Sequence, residues 1–195
     1  MKRYEIAAFV LLFTAAVAVG AAFRLTGLEK RPLHGDEANQ AVKTGRLLEK
    51  GEYRYDPKEH HGPTLYYMTL AVLKAAGVDK FSDSTITEYR LVPALCGILM
   101  VALAGLLVLP LGRWAAFWAA LLTAVSHAMT YYSRYYIQET LFVLFVYAAL
   151  ACAWRWWRKP GLGWALATGV CLGLVHATKE TCVVVFAAMA LATAL

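Results

Sequence analysis

Charge is what this sequence has least of. Only 16% of its 195 residues are Asp, Glu, Lys or Arg, while 60% are hydrophobic and the mean hydropathy is +0.52. A soluble domain carries roughly a quarter charged residues and about half apolar ones. That composition excludes an ordinary soluble domain and describes an integral membrane protein. The formal charge of +6 does not indicate nucleic acid, because the bases are scattered along the chain and not massed in one run. Cysteine is scarce too. Cys96, Cys152, Cys171 and Cys182 all lie inside apolar runs without metal-type spacing, so they read as small buried hydrophobes and not as disulfides or ligands. Histidine offers no HxxxH spacing, although His34, His60 and His61 stand near acids, which makes zinc the minor alternative there. No metal site is assigned.

Long apolar runs are present. Five are spans: Ile6–Phe23, Leu91–Leu111, Trp114–Met129, Thr140–Trp154 and Leu162–Thr178. A sixth, from Thr181, stops at Leu195 inside apolar sequence. Several fall short of the ~20 residues that a 30 Å core prefers, and flanking Trp and Tyr can cover the shortfall. The expectation is an all-α, polytopic helical bundle, with residues 1–195 forming the N-terminal part of one longer transmembrane domain. The first run could serve as a signal peptide cut after Ala16-Val17-Ala18. An uncleaved helix is preferred, since the run continues to Phe23.

The segment Thr64–Gly77 decides the topology. It has about 14 residues with Lys74 near its end, a length that suits a helix lying on the membrane. If it does not cross, Lys2, Arg3, Arg113, Arg155, Arg158 and Lys159 fall on one side with the single acid Glu5, as the positive-inside rule requires. The N-terminus is then cytoplasmic, and residues 24–89 form one external loop of nearly balanced charge. Two surface helices are expected in that loop. One runs from about Asp36 to Glu49 with Ala38, Ala41, Val42, Gly45 and Leu48 on one side; the other is Thr64–Gly77, opened by Gly62-Pro63.

This topology gathers the remaining polar residues on one face: His34-Gly35-Asp36-Glu37, His60-His61, Arg90, the turn Tyr131–Glu139 with Tyr132 and Arg134, and Thr178-Lys179-Glu180. Each has a plain alternative. Asp36 could be a helix N-cap with Glu37 complementing the helix dipole. Arg134 and Lys179 could be snorkelling residues, the tyrosines an aromatic belt, and Gly169-x-x-x-Gly173 a packing motif. Those readings explain the residues singly but not their joint placement. Carboxylates able to take a proton, beside cations able to hold a phosphate, suit displacement at a sugar carbon: the acceptor hydroxyl needs a base, and the leaving phosphate needs positive charge.

The stretches RPLHGDEANQA, HHGPTLYY, EYRLVPAL, YYSRYYIQE and HATKE resemble the GT-C-fold glycosyltransferases that use polyprenyl-phosphate sugars, the superfamily of protein O-mannosyltransferases and aminoarabinose transferases. They are most similar to a prokaryotic branch associated with flippase activity. The resemblance implies a prokaryotic plasma-membrane enzyme that transfers a sugar with inversion, on the outer face, from a polyprenyl-phosphate donor to a hydroxyl of a glycan, lipid or protein. By position it implies Asp36 as the catalytic base, Glu37 as its partner and Glu139 as a second acid. Arg90 and Lys179 would hold the donor phosphate, with Arg134 beside them; His34, His60, His61, Tyr132 and Glu180 would line the substrate site. Glu180 stands where relatives carry Gly, which bears on the backbone beside Lys179. No cofactor is assigned; the family divides over metal dependence, which leaves a divalent cation open. Two other readings remain: a non-catalytic glycolipid-handling protein associated with flipping, and, more weakly, a proton-coupled transporter.

Overall fold

The computed structural model describes residues 3–56 and 61–194, and among them every regular element is helical. Ten α-helices follow in order: α1 Arg3–Leu25, α2 Gly35–Lys50, α3 Thr64–Ala75, α4 Ile86–Leu103, α5 Val108–Leu111, α6 Arg113–Val125, α7 His127–Ser133, α8 Glu139–Arg158, α9 Leu162–His176 and α10 Cys182–Ala194. Among the described residues three helices are long and apolar enough to cross a membrane: α1, α8, and α4 with its short 3-10 extension to Leu107. Residue His60, expected near the site, lies outside the described residues.

Two expected spans are interrupted. The run expected over 91–111 is α-helical only to Leu103, then tightens into a 3-10 turn and the single turn α5. The run expected over 114–129 stops at Val125, where the Ser126 hydroxyl accepts from the N–H of Met129 and starts α7. Serine is a preferred N-cap because its oxygen satisfies a first-turn N–H. Its presence in an apolar run was the available sign of the break.

Helix α1 packs on α4 and α6 through a seam of small residues. Ala16, Ala116, Ala120 and Ala124 are buried, and a Cβ on Gly20 would lie 3.2 Å from the Cβ of Ala124. The pair Gly169/Gly173, expected to pack, instead meets open space on α9. At the end of the α1 seam stands Arg24, fully buried in α1 and paired to no carboxylate among the described residues. It donates to the carbonyls of Gly20 (3.1 Å), Thr123 (2.9 Å) and Ala124 (3.0 Å) and to the Ser133 hydroxyl (3.3 Å). The unpaired carbonyls at the end of α6 supply the partial negative charge that this cation needs.

Gly97 of α4 leaves room for that cluster. A Cβ there would sit 2.2 Å from Ser133 Oγ and 2.8 Å from Arg24 Nε. Gly97→Ala is therefore expected to destabilise by about 1–3 kcal/mol through overpacking, against a helix-propensity gain of about 1 kcal/mol. The thermal midpoint in detergent measures it; an unchanged or raised midpoint would mean that the Arg24 cluster yields freely.

The end of the bundle that holds Arg24 also holds α2 and α3. Helix α2 begins on His34, whose Nδ1 accepts from Asp36 N–H at 3.3 Å while its own N–H donates to Glu37 at 3.0 Å. His34, not Asp36, is the N-cap. Gly51 ends the helix in the left-handed region (φ 67°), its N–H returning to Leu47. The buried face of α2 carries Glu37, Gln40, Ala41, Thr44, Gly45, Leu47 and Leu48, while Val42, expected inside, is exposed. Helix α3 follows Pro63, which holds helical angles (φ −78°, ψ −14°) as a first-turn proline should. Its 12 residues span about 18 Å, too short to cross a 30 Å core.

Candidate active site

A buried polar network fixes α2 and α3 against the turn between α7 and α8. Thr44 Oγ1 and Tyr136 Oη lie 2.7 Å apart, and Tyr136 donates to Thr69 at 2.9 Å. The Tyr66 hydroxyl donates to Gln40, which also accepts from Gln138 Nε2 at 3.3 Å. Burial raises the Tyr136 and Tyr66 hydroxyls above their ordinary value. A second tie joins the α9–α10 turn. Gly62 N–H donates to Thr178 O (3.2 Å), Thr64 donates to Thr178 (2.9 Å), and His61 and Tyr55 both reach Glu180, at 2.7 Å and 3.0 Å. Glu180 has no left-handed backbone, so the expected disturbance from a non-glycine residue there does not arise.

These ties divide the two adjacent carboxylates. Glu37 is fully buried and saturated. Arg90 Nε donates to Oε1 and Arg90 Nη2 to Oε2, both at 2.8 Å; Arg31 Nη2 reaches Oε2 at 3.2 Å; the backbone N–H groups of Tyr136 and His34 add bonds of 2.9 and 3.0 Å. Burial alone would raise its pKa, but these hydrogen bonds together with the Arg90 charge hold it below the usual carboxylate range. Asp36, one residue earlier, is 67% exposed. Its neighbours are His34 Nδ1 at 3.4 Å and the Tyr135 hydroxyl at 3.5 Å.

Asp36 lines a cavity of about 300 Å³ together with Asn39, Gln40, His61, Gln138 and Glu139. Glu139 Oε1 is paired to Lys179 Nζ at 2.6 Å, while its Oε2 is buried without a partner among the described residues. Glu139 also lines an apolar groove of about 390 Å³ with Met100, Met129, Tyr132 and Val143. One carboxylate thus borders both a polar cavity and a groove between apolar helices. Of the residues expected at the site, Asp36, His61 and Glu139 share the cavity, Lys179 joins through Glu139, Glu180 through His61, and His34 through Asp36. Tyr132 belongs to the groove.

Arg90 and Arg134 are placed elsewhere. The Arg90 guanidinium spends all five N–H groups on protein: two on Glu37, two from Nη1 on the carbonyls of Leu28 and Arg31 (both 2.7 Å), and one from Nη2 on Pro32 (3.0 Å). It has no donor left for a phosphate, so the expectation that it grips one does not fit this geometry. Glu37 likewise has no accessible oxygen for a proton transfer. Arg134 caps the end of α1, donating to the carbonyls of Phe23, Thr26 and Gly27 at 3.1, 2.8 and 2.9 Å. The tyrosine cluster splits in the same way: Tyr131 and Tyr132 are exposed, Tyr135 and Tyr136 are buried. Gln40, Gln138 and Arg31 were not anticipated as site residues; their sign in the sequence was their place inside the stretches RPLHGDEANQA and YYSRYYIQE.

Residues 64–195 match the family model described as dolichyl-phosphate-mannose-protein mannosyltransferase. The match starts at the first residue of α3 and leaves α1, α2 and the Asp36-Glu37 pair outside it. No curated protein and no solved structure matches the chain.

Proposed function

The chain belongs to the dolichyl-phosphate-mannose-protein mannosyltransferase family, within the GT-C superfamily, and on that premise we propose that Asp36 is the general base of its sugar transfer. Membership implies an integral membrane glycosyltransferase with a polyprenyl-phosphate sugar as donor and a hydroxyl as acceptor. One observation carries the finer reading: of two adjacent carboxylates, only Asp36 keeps open oxygens, and it faces a cavity that meets an apolar groove at Glu139.

The donor's lipid lies in the groove beside Met100, Met129 and Val143, which brings its phosphosugar to Glu139 and Lys179. The acceptor hydroxyl gives its proton to Asp36 as its oxygen bonds the anomeric carbon. The carbon–phosphate oxygen bond breaks with the electron pair leaving on the polyprenyl phosphate. Among the described residues Lys179 keeps two of its three N–H groups beyond the Glu139 bond, and it places positive charge near that leaving group. Attack opposite the leaving phosphate inverts the anomeric carbon. The site lies at the end of the bundle away from Arg113, Arg155 and Arg158, which is the outer face under the positive-inside rule.

The test is transfer by the full-length protein from a polyprenyl-phosphate mannose to a panel of glycan, lipid and peptide hydroxyls, with the product's anomeric configuration read by NMR. Inverted product supports the reading; retained configuration removes single displacement. Donor binding without turnover in any acceptor would favour a glycolipid-handling protein of the flippase-associated kind.

A further inference from the structure

A second polar space lies near the end of α1 and shares no lining residue with the Asp36 cavity. It has a volume of about 330 Å³, and among the described residues its wall includes Lys30, Arg31, Arg90, His127, Tyr131 and Arg134 but no Asp or Glu. Glu37 behind Arg90 neutralises one of the four Lys/Arg charges, so three remain.

These cations are held, not loose. Arg31 lies over the rings of Tyr135 (4.9 Å) and Tyr131 (5.4 Å) and donates to the Tyr131 hydroxyl (3.2 Å) and to Glu37 (3.2 Å). That leaves it three N–H groups. Arg134 is fixed by three carbonyls and keeps its Nε–H and one Nη1–H without an acceptor among the described residues. Lys30 lies against Gly27 and makes no ion pair among the described residues. Glu37 is the one carboxylate paired to these cations, and it is already committed to Arg90, so oriented donors with a net positive charge remain. They are complementary to a phosphate, which offers several acceptor oxygens at once.

The level of this space selects the source. It sits where α1, a helix long and apolar enough to span, ends in the carbonyls that Arg134 caps, and exposed Tyr131 and Tyr132 stand beside it. Interfacial tyrosines mark the depth of lipid headgroups. We propose that the Lys30–Arg31–Arg134 cavity binds the phosphate of a membrane lipid, at a subsite separate from the Asp36 cavity. A phosphodiester headgroup and a phosphorylated isoprenoid carry the same recognised group.

Native mass spectrometry of the full-length protein in detergent tests this with dioleoyl phosphatidylglycerol, farnesyl phosphate and, as competitor, inorganic phosphate. The wild type is expected to retain one of these anionic lipids in preference to phosphatidylcholine, whose choline cation offsets its phosphate charge. Lys30→Ala should weaken it about fivefold, and Lys30→Glu more, as one interfacial charge contributes about 1 kcal/mol. Lys30 is exposed, so both variants fold, and the tighter of the two lipids names the source. Equal retention in wild type and Lys30→Glu overturns the site. Displacement by inorganic phosphate at equal concentration overturns the lipid origin. Asp36→Asn leaves this binding unchanged, which separates it from the transfer reading.

Discussion

Replacing Arg90 with methionine is expected to lower the stability of the protein by about 3–5 kcal/mol, the cost of stranding one partner of a buried ion pair. Arg90 is 1% exposed and Glu37 is not exposed at all, so solvent screening does not reduce the effect. Methionine fills much of the volume but donates nothing, and the carbonyls of Leu28, Arg31 and Pro32 lose their partner along with Glu37. Arg90→Lys should recover little, because a single ammonium cannot serve two carboxylate oxygens and three carbonyls at fixed positions. The pair also sets an acid limit. Because the folded Glu37 carboxyl titrates below its unfolded value of about 4.3, the native state binds fewer protons than the unfolded one as pH falls below that value. Its contribution is therefore complete at neutral pH and is lost as the pH drops through the folded pKa; Arg90→Met should flatten that dependence. Thermal midpoints in detergent between pH 3 and 7 read both. A stable Arg90→Met protein with weakened donor affinity would return Arg90 to the phosphate.

The pairing of Arg90 with Glu37 shows what kind of information the sequence held. Both residues stood out as charges in an apolar chain, and the helices before and after them were legible from apolar runs and caps. That the two neutralise each other across 53 positions was not, since the carbonyls that orient Arg90 leave no trace in residue type. Helix α2 repeats the lesson. Its apolar residues were counted to find the buried side, but the interior there is a polar network, and Gln40 and Thr44 find partners 98 and 92 residues away at Gln138 and Tyr136. Arg24 read as the first residue of a loop and is instead a buried clamp on the carbonyls of α6. Periodicity reports burial of apolar surface; it is silent where hydrogen bonds do the burying.

Asp36→Asn is expected to reduce sugar transfer by on the order of 10²–10⁴-fold, the usual range for loss of a general base. Asparagine keeps the shape of the side chain and its contact with Tyr135 but cannot take the acceptor's proton. The same substitution should barely move stability. Asp36 is mostly exposed and contributes only a first-turn charge to α2, worth about 0.3–1 kcal/mol. A loss of roughly 2.7–5.5 kcal/mol in transition-state binding beside so small a change in folding is the signature of a residue that acts on substrate. Glu37→Gln should show the reverse balance, with the folding loss dominant, because its carboxylate is enclosed by Arg90, Arg31 and two backbone N–H groups. Glu139 falls between them: Oε1 is committed to Lys179, while Oε2 lies at the junction of cavity and groove. Comparing turnover with thermal midpoint for the three variants orders the carboxylates by role. If Glu37→Gln folds normally and loses transfer while Asp36→Asn keeps it, the assignment of base and clamp to these neighbours must be exchanged.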